Sequence, residues 1–390
     1  MTTTTETTLA DNSAWVKGAI ETIESHLHPT PSFDLADHPV PNGREEIWRF
    51  SPIRRMSALF TAGTGQALSW TTSLPEGVTV RTVEAAEARD LVVEAPVDRV
   101  SAIAVSGSTG ATVLEVAANT VAAEPVVVTL AGAGERVDAH TVVRVGAHSN
   151  VTIVVRHEGS AVYAGKTDVH VGDGATVNLV SVHDWADDAI HGGHTAVLVG
   201  RDAQVRTVAV SLGGSVVRVA ETARFAGPGG SLEQFGLYFV DAGQHIEHRL
   251  FVDHNQPHTH SNVDYRGALQ GEGARSVWVG DVLIRKVAEQ ISTYEANKNL
   301  VLTDGCRADS VPNLEIETGE IAGAGHSSTT GRFDDEQLFY LRSRGIPEEE
   351  ARRLVVRGFF ATIIGKIGVP EVEQRLLAAI EAELEKSVAA

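Results

Sequence analysis

Val143–Val155 reads VRVGAHSNVTIVV, and two later segments repeat its form: VHVGDGATVNLVS at Val169–Ser181 and VLVGRDAQVRTVA at Val197–Ala209. Each is Val-x-Val-Gly followed by a short polar turn and a new Val-bearing run. The glycines Gly146, Gly172 and Gly200 stand 26 and 28 residues apart, and RFAGPGGSLEQFG continues the series at Gly227, 27 further on. GALQGEGARSVWV around Gly271 and LVLTDGCRADSVP around Gly305 are degenerate copies at wider spacing. A period of this length marks a solenoid. Each copy holds a strand, a glycine turn and another strand, with no helical segment between, so the predicted fold is a β-helix or closely related β-solenoid. A β-sandwich is the alternative, but it has no need of a repeat that recurs in register.

The flanks read differently. From Leu9 to about Phe60, Trp15, Ala19, Ile23 and Leu27 fall at helical spacing, and Pro29, Pro31, Pro39 and Pro41 cut that segment into short pieces. Alternating strands are expected from about Gly77 to Glu317. From Asp334 the pattern turns helical, with Asp334 as N-cap and Gln337 three residues on. PEEEARRLVVRGFFATIIGKI follows, with Pro347 near the first helical position and Leu354, Val355, Phe359, Ile363 and Ile367 on one face. A last helix carries Val372, Leu376, Ile380 and Leu384. The expected organisation is an N-terminal helical segment with a disordered start (1–76), a β-helix core (77–320) and a C-terminal helical domain (321–390). A solenoid leaves an unpaired strand edge at each end, which must be capped or must pair with another chain.

The 390 residues include 43% hydrophobic side chains, and no apolar run approaches the ~20 residues needed to cross a bilayer. The start, MTTTTETTLADNSAW, lacks the basic and apolar regions of a signal peptide. A net charge of 32 − 51 = −19 disfavours nucleic acid and anionic membranes as partners. The single cysteine forms no disulfide within the chain and fits a reducing cytoplasm. Neither a phosphate-binding G-x-x-x-x-G-K-[ST] nor a G-x-S-x-G elbow occurs, so no nucleotide is expected on this chain.

Several side chains are candidates for chemistry. Cys306, after Asp304-Gly305, reads alone as a small buried hydrophobe, and His326 as a solvated loop histidine. His254, His258 and His260, with His245 and His248 upstream, have metal-ligand spacing, and His258 and His260 would share a face if on a strand. His183, Asp184, Asp187, Asp188, His191 and His194 read as a solvated acidic turn. Phe359, Phe360, Ile363, Ile364 and Ile367 offer more apolar surface than a short helix needs for its own packing, which marks them as partner-binding.

AGHSSTTGRFDDEQLFYLRSRGI, Ala324–Ile346, resembles the C-terminal signature of the SufB/SufD family of iron–sulfur cluster assembly scaffold proteins, the SufD branch in particular. The resemblance extends to CRADSVPNLEIE (Cys306–Glu317), DHNQPHTHSNVDYRG (Asp253–Gly267) and, more faintly, REEIWRFSPIRRMSALF (Arg44–Phe60). It implies a right-handed parallel β-helix flanked by helical segments. It also implies a non-catalytic scaffold subunit that pairs with a SufB-like subunit and docks a SufC-like ABC ATPase through its C-terminal helices. Under it, His326 and Cys306 would contribute to a transient iron–sulfur cluster or iron at a shared interface, with a homodimer as the pairing open to the isolated chain. Ser327 stands where SufB proteins carry Glu, which favours SufD. Ala324 and Cys306 depart from part of the branch. From the residues alone, a carbohydrate-active β-helix enzyme and a metal-binding protein using the 245–260 histidines stay in competition.

Overall fold

The computed structural model describes residues 30–63, 68–333 and 335–386. The expected N-terminal positions Trp15, Ala19, Ile23 and Leu27, and the cap at Asp334, lie outside those residues.

The chain enters through β1 (Ser69–Ser73) and β2 (Val78–Glu84), then two helices, α1 (Ala85–Asp90) and α2 (Arg99–Gly107). These helices interrupt a stretch read as strand. The reason is local: Asp98 accepts from Ser101 N at 2.8 Å and the Ser101 side chain closes a capping box, while Val100, Ala102, Ile103 and Ala104 are buried. Then come β3 (Gly110–Val116), β4 (Val126–Val145) and β5 (Asn150–Val171). The strands β6 (Thr176–Trp185), β7 (Ile190–Val199), β8 (Gln204–Ser211), β9 (Val216–Phe225), β10 (Ser231–Val240) and β11 (His245–His254) follow. The series ends with β12 (His260–Leu269), β13 (Arg275–Ile284), β14 (Ser292–Val301), β15 (Arg307–Ile316) and β16 (Gly323–Arg332). Three helices close the described chain: α3 (Asp335–Ser343), α4 (Glu348–Ile367) and α5 (Pro370–Lys386).

From β4 onward all pairing is parallel, apart from the antiparallel β1 on β4, in the order β15-β13-β11-β9-β7-β5-β6-β8-β10-β12-β14-β16. This is a parallel β-solenoid of about eight turns. Even strands from β6 to β16 stack on one wall and odd strands from β7 to β15 on the other, while β5 runs along both. The repeat glycines have a packing cause. A Cβ on Gly146, Gly172 or Gly200 would meet backbone atoms of the preceding coil at 2.4, 2.6 and 2.6 Å, so each turn closes against its neighbour only without a side chain.

Inside the bore, one column of even-wall positions reads His157, His183, Ser211, Tyr238, Gly267, Asn299, Thr330. Its glycine makes room for a ring: a Cβ on Gly267 would come 1.8 Å from the Tyr238 ring, and one on Gly236 2.0 Å from Tyr265. Gly267→Ala is therefore expected to destabilise by about 1–3 kcal/mol through overpacking, read as a lower urea midpoint at unchanged m-value. An unchanged midpoint would show that the ring moves aside freely.

The strands run to Arg332, past the expected boundary at 320, so the segment 324–332 is the last strand rather than a loop. α4 begins after Pro347, which serves as its N-cap, and lies on the outer face of the even wall. Its buried residues are Ala351, Val356, Phe360, Ile363, Ile364 and Ile367, so the stripe is rotated from the predicted one. Leu354 is exposed, and Val355 and Phe359 are half-buried. Val356, Phe360, Ile363, Ile364 and Ile367 join Val180, Val208, Phe235 and Leu237 of the wall in one core. Asn178 Nδ2 donates to Ile367 O at 2.7 Å and Arg266 to Phe359 O at 2.8 Å, tying the helix to the wall.

Candidate functional site

The far end of the solenoid is its open end. β15 pairs with β13 alone and β16 with β14 alone, so one backbone edge of each is unpaired among the described residues. Both are mostly half-buried or exposed, in contrast to the strands before them. His326 is on β16, in register with Glu295 on β14. In-register parallel neighbours share a face, and Asn297, two residues from Glu295, donates to the core residue Tyr238. His326 thus faces into the mouth of the bore, with 43% of its side chain exposed.

Beneath it, Glu295 is 2% exposed. A Cβ on Gly280 of the opposite wall would sit 2.4 Å from Glu295 Oε2, so this glycine leaves the slot that the carboxyl occupies. Burial, then the charge of Asp281, pushes the Glu295 carboxyl up to about 8. Its Oε1 lies 3.7 Å from His326 Nδ1 and has no hydrogen-bond partner. A buried carboxyl with an unmatched oxygen is costly and calls for a cause. Imidazole and carboxylate together suit Fe(II), and the exposed side leaves room for further donors.

Cys306 is not brought to His326. It lies in the turn after β14, half-buried, with Sγ 3.4 Å from Gly271 O, and burial pushes its thiol up. The register sets His326 six residues before Arg332, and Arg332 bonds Asp304 of that turn at 2.9 Å. At ~3.3 Å per residue, the two are about 20 Å apart along the strand.

The 254–260 histidines do not converge either. His254 is buried inside the bore, stacked on Phe225, and its ring nitrogens reach Thr259 at 2.7 Å and Ser261 at 2.9 Å. His258 is in a turn at φ +58°, and His260 opens β12 with Nδ1 2.7 Å from Ser292 Oγ, so the two do not share a strand face. Among the described residues no group of three or more His, Cys, Asp or Glu is arranged to hold a metal ion. His183, His191 and His194, read as a solvated turn, are buried on β6 and β7. His157, His183 and His191 form a knot with ring centroids 4.9–5.4 Å apart. The half-buried Asp184 at the end of β6 and the exposed Asp187 and Asp188 in the following turn give the stretch its solvated look. The buried carboxyls Glu221 and Glu295 face the bore rather than an outer groove; Glu221 accepts from Thr207 at 2.7 Å and Gln234 at 2.6 Å.

Of the five apolar positions read as partner-binding, Phe360, Ile363, Ile364 and Ile367 are taken up by the chain's own wall. The exposed large apolar side chains of the C-terminal helices are Phe339, Tyr340 and Leu354. No helix among the described residues is long and apolar enough to cross a membrane.

Residues 128–359 match the family model "SUF system FeS cluster assembly, SufBD core domain". The chain is similar to an iron–sulfur cluster assembly SufBD family protein of Mycobacterium tuberculosis H37Rv, 52% identical over 364 residues, 91% of this chain and 92% of that protein. A relative from Mycobacterium leprae bearing the same family name is 50% identical over 363 residues, 90% and 93% of the two chains. The iron–sulfur cluster assembly protein SufD of Escherichia coli is 28% identical over 179 residues, 46% of this chain and 42% of that one.

Proposed function

The chain belongs to the SufBD family of iron–sulfur cluster assembly proteins, and from that premise we propose that it is the SufD-like, non-catalytic scaffold subunit of a cytoplasmic SUF complex. In this reading the open edges of β15 and β16 pair with a SufB-like subunit, or with a second copy when the chain is alone. The C-terminal helices receive a SufC-like ABC ATPase. The nascent cluster is cargo, held at the mouth of the bore between the two chains. The observation that carries the reading is His326: it projects from the last strand, whose outer edge is unpaired among the described residues, and stands half exposed above a buried carboxyl with one unmatched oxygen. Such a site is under-ligated by this chain, and a scaffold that must release its cargo needs that.

Cys306 plays the smaller part. Its thiol is held protonated by burial and stands about 20 Å from His326, so any contribution to the cargo is separate from the histidine.

The test is His326→Ala in the complex isolated through a tag on this chain. A half-exposed histidine contributes little packing, so thermal stability and partner recovery are expected to stay unchanged. Cluster yield on anaerobic reconstitution, read by visible absorption and Mössbauer spectroscopy, is expected to fall at least about tenfold, the lower end of what even an outer partner of a metal ligand costs. Cys306→Ala is expected to change it less. Normal yield from His326→Ala would return the histidine to an ordinary surface residue. Recovery of the chain without an ATPase or SufB-like partner would remove the complex.

A further inference from the structure

Two donor atoms at the mouth of the bore stand at a telling distance. His326 Nδ1 and Glu295 Oε1 are 3.7 Å apart, too far for a hydrogen bond. Nitrogen and oxygen ligands about 2.0–2.2 Å from one metal ion are themselves about 3.0 Å apart at a right angle and about 3.4 Å apart at a tetrahedral one. The pair stands at ion-pair distance, and the half-exposed imidazole has only to close by under about 1 Å for both donors to reach one ion. Glu295 Oε1 has no hydrogen-bond partner although the residue is 2% exposed. The fold holds it there: the adjacent strand sets the register, the Asn313 backbone hydrogen-bonds the carboxyl, and Gly280 clears the slot for Oε2.

We propose that Glu295 is a second metal ligand from this chain, and that His326 Nδ1 and Glu295 Oε1 together chelate one Fe(II) at the open end of the solenoid. The proposal rests on the reading that His326 faces the nascent cluster, and adds a ligand on a different strand. Two waters leave the aquo ion as the two donors enter, and a proton on the carboxyl goes to solvent. The ion's outer positions stay open to sulfide and to donors of the facing chain. The burial of Glu295 makes it the fixed half of the pair, and the exposed imidazole is the half that swings to meet or release the ion.

Co(II) is the probe, titrated anaerobically into the full chain and followed by its d–d absorption, with Fe(II) competition giving relative affinities. The wild-type chain is expected to show one His326-dependent Co(II) site. Glu295→Gln keeps the shape of the side chain but replaces the charged oxygen donor, and is expected to weaken that site about 100-fold, the upper end of what even an outer partner costs. Gly280→Ala keeps both ligands but drives a methyl into the Oε2 slot, and is expected to weaken it in the same direction. Urea midpoints identify any variant that has lost its fold, and Glu295→Gln is the deciding variant if Gly280→Ala has. Unchanged affinity in Glu295→Gln with loss in His326→Ala would overturn the chelate and leave the histidine's role standing. A wild-type chain with no His326-dependent band would also overturn the chelate, while cluster assembly by the complex separately decides the broader reading.

Discussion

Lowering the pH from 7.5 to 5 is expected to unfold this protein cooperatively, with a net uptake of about three to four protons. Five histidines are sealed in the bore or its lining: His157, His183, His191, His248 and His254. Burial pushes His157, His248 and His254 down to about 3 and His183 to about 4, and holds His191 well below the usual range. Neighbouring imidazoles lower His157, His191, His248 and His254 further. All are neutral in the folded chain and titrate near 6.5 when it unfolds. The unfolded state therefore binds more protons between about 6.5 and 4. Stability is fully present above 6.5 and is lost as the pH falls through that window, each histidine costing about 2 kcal/mol by pH 5. Two groups work the other way. Burial raises Glu221, and burial with the charge of Asp281 raises Glu295 to about 8, so the folded state gains protons there first. Five against two leaves a loss of several kcal/mol, comparable with the whole ~5–15 kcal/mol of an ordinary domain. Below pH 4, buried pairs add to the loss. At Asp168 burial opposes ionisation, but His140 and Lys166 outweigh it and hold the carboxyl down to about 2. Urea titrations at pH 7.5, 6 and 5 measure this. A free energy of unfolding that is flat from 7.5 to 5 would mean that these rings reach water in the folded state.

The histidine knot also shows where sequence reading ends. The solenoid was legible because its turns repeat a physical constraint: Gly146, Gly172 and Gly200 each lie too close to the backbone of the coil before to carry a side chain. The C-terminal helices were legible from apolar spacing, though α4 turned its stripe toward Phe360 and Ile364 once the wall supplied a partner surface. The bore was illegible for one reason. Inward positions are normally apolar, but β14 sends Thr293, Glu295, Asn297 and Asn299 inward. There Asn297 and Asn299 satisfy Tyr238, Ser310 and each other across the walls. Read locally, STYEANKNLV looks like an edge strand with its polar face in water. His326 is legible through its motif, while the strand that carries it reads as a loop because GHSSTTG has no large apolar residue. Glu295, 31 residues earlier, becomes its neighbour through coil register alone. No local signal announces such a pair.

Removing everything from Pro347 onward is expected to destroy the folded protein, and with it any chance of using that truncation to map a partner. Deleting α4 and α5 strips the cover from Val180, Val182, Val208, Val210, Phe235, Leu237 and Phe239 on the even wall. Phe360, Ile363, Ile364 and Ile367 alone are four buried side chains, each worth about 1.5–3 kcal/mol. Their loss also leaves a contiguous apolar face that drives association. The truncated chain is expected to appear in aggregates, and Phe360→Ala alone to destabilise by about 3–5 kcal/mol. Under the proposed function, the residues free to meet the ATPase are the outward ones, Phe339 and Tyr340 on α3 and Leu354 on α4. Phe339→Asp with Tyr340→Asp removes mostly solvent-facing apolar surface, the one ring contact among the described residues being Arg344 over Tyr340. We expect that pair to leave the urea midpoint within about 0.5 kcal/mol of wild type, as surface changes do, while recovery of the ATPase with the tagged chain falls at least tenfold. A soluble, natively folded truncation would show that the wall does not need its helices. Full ATPase recovery with both aspartates in place would move the docking surface off α3.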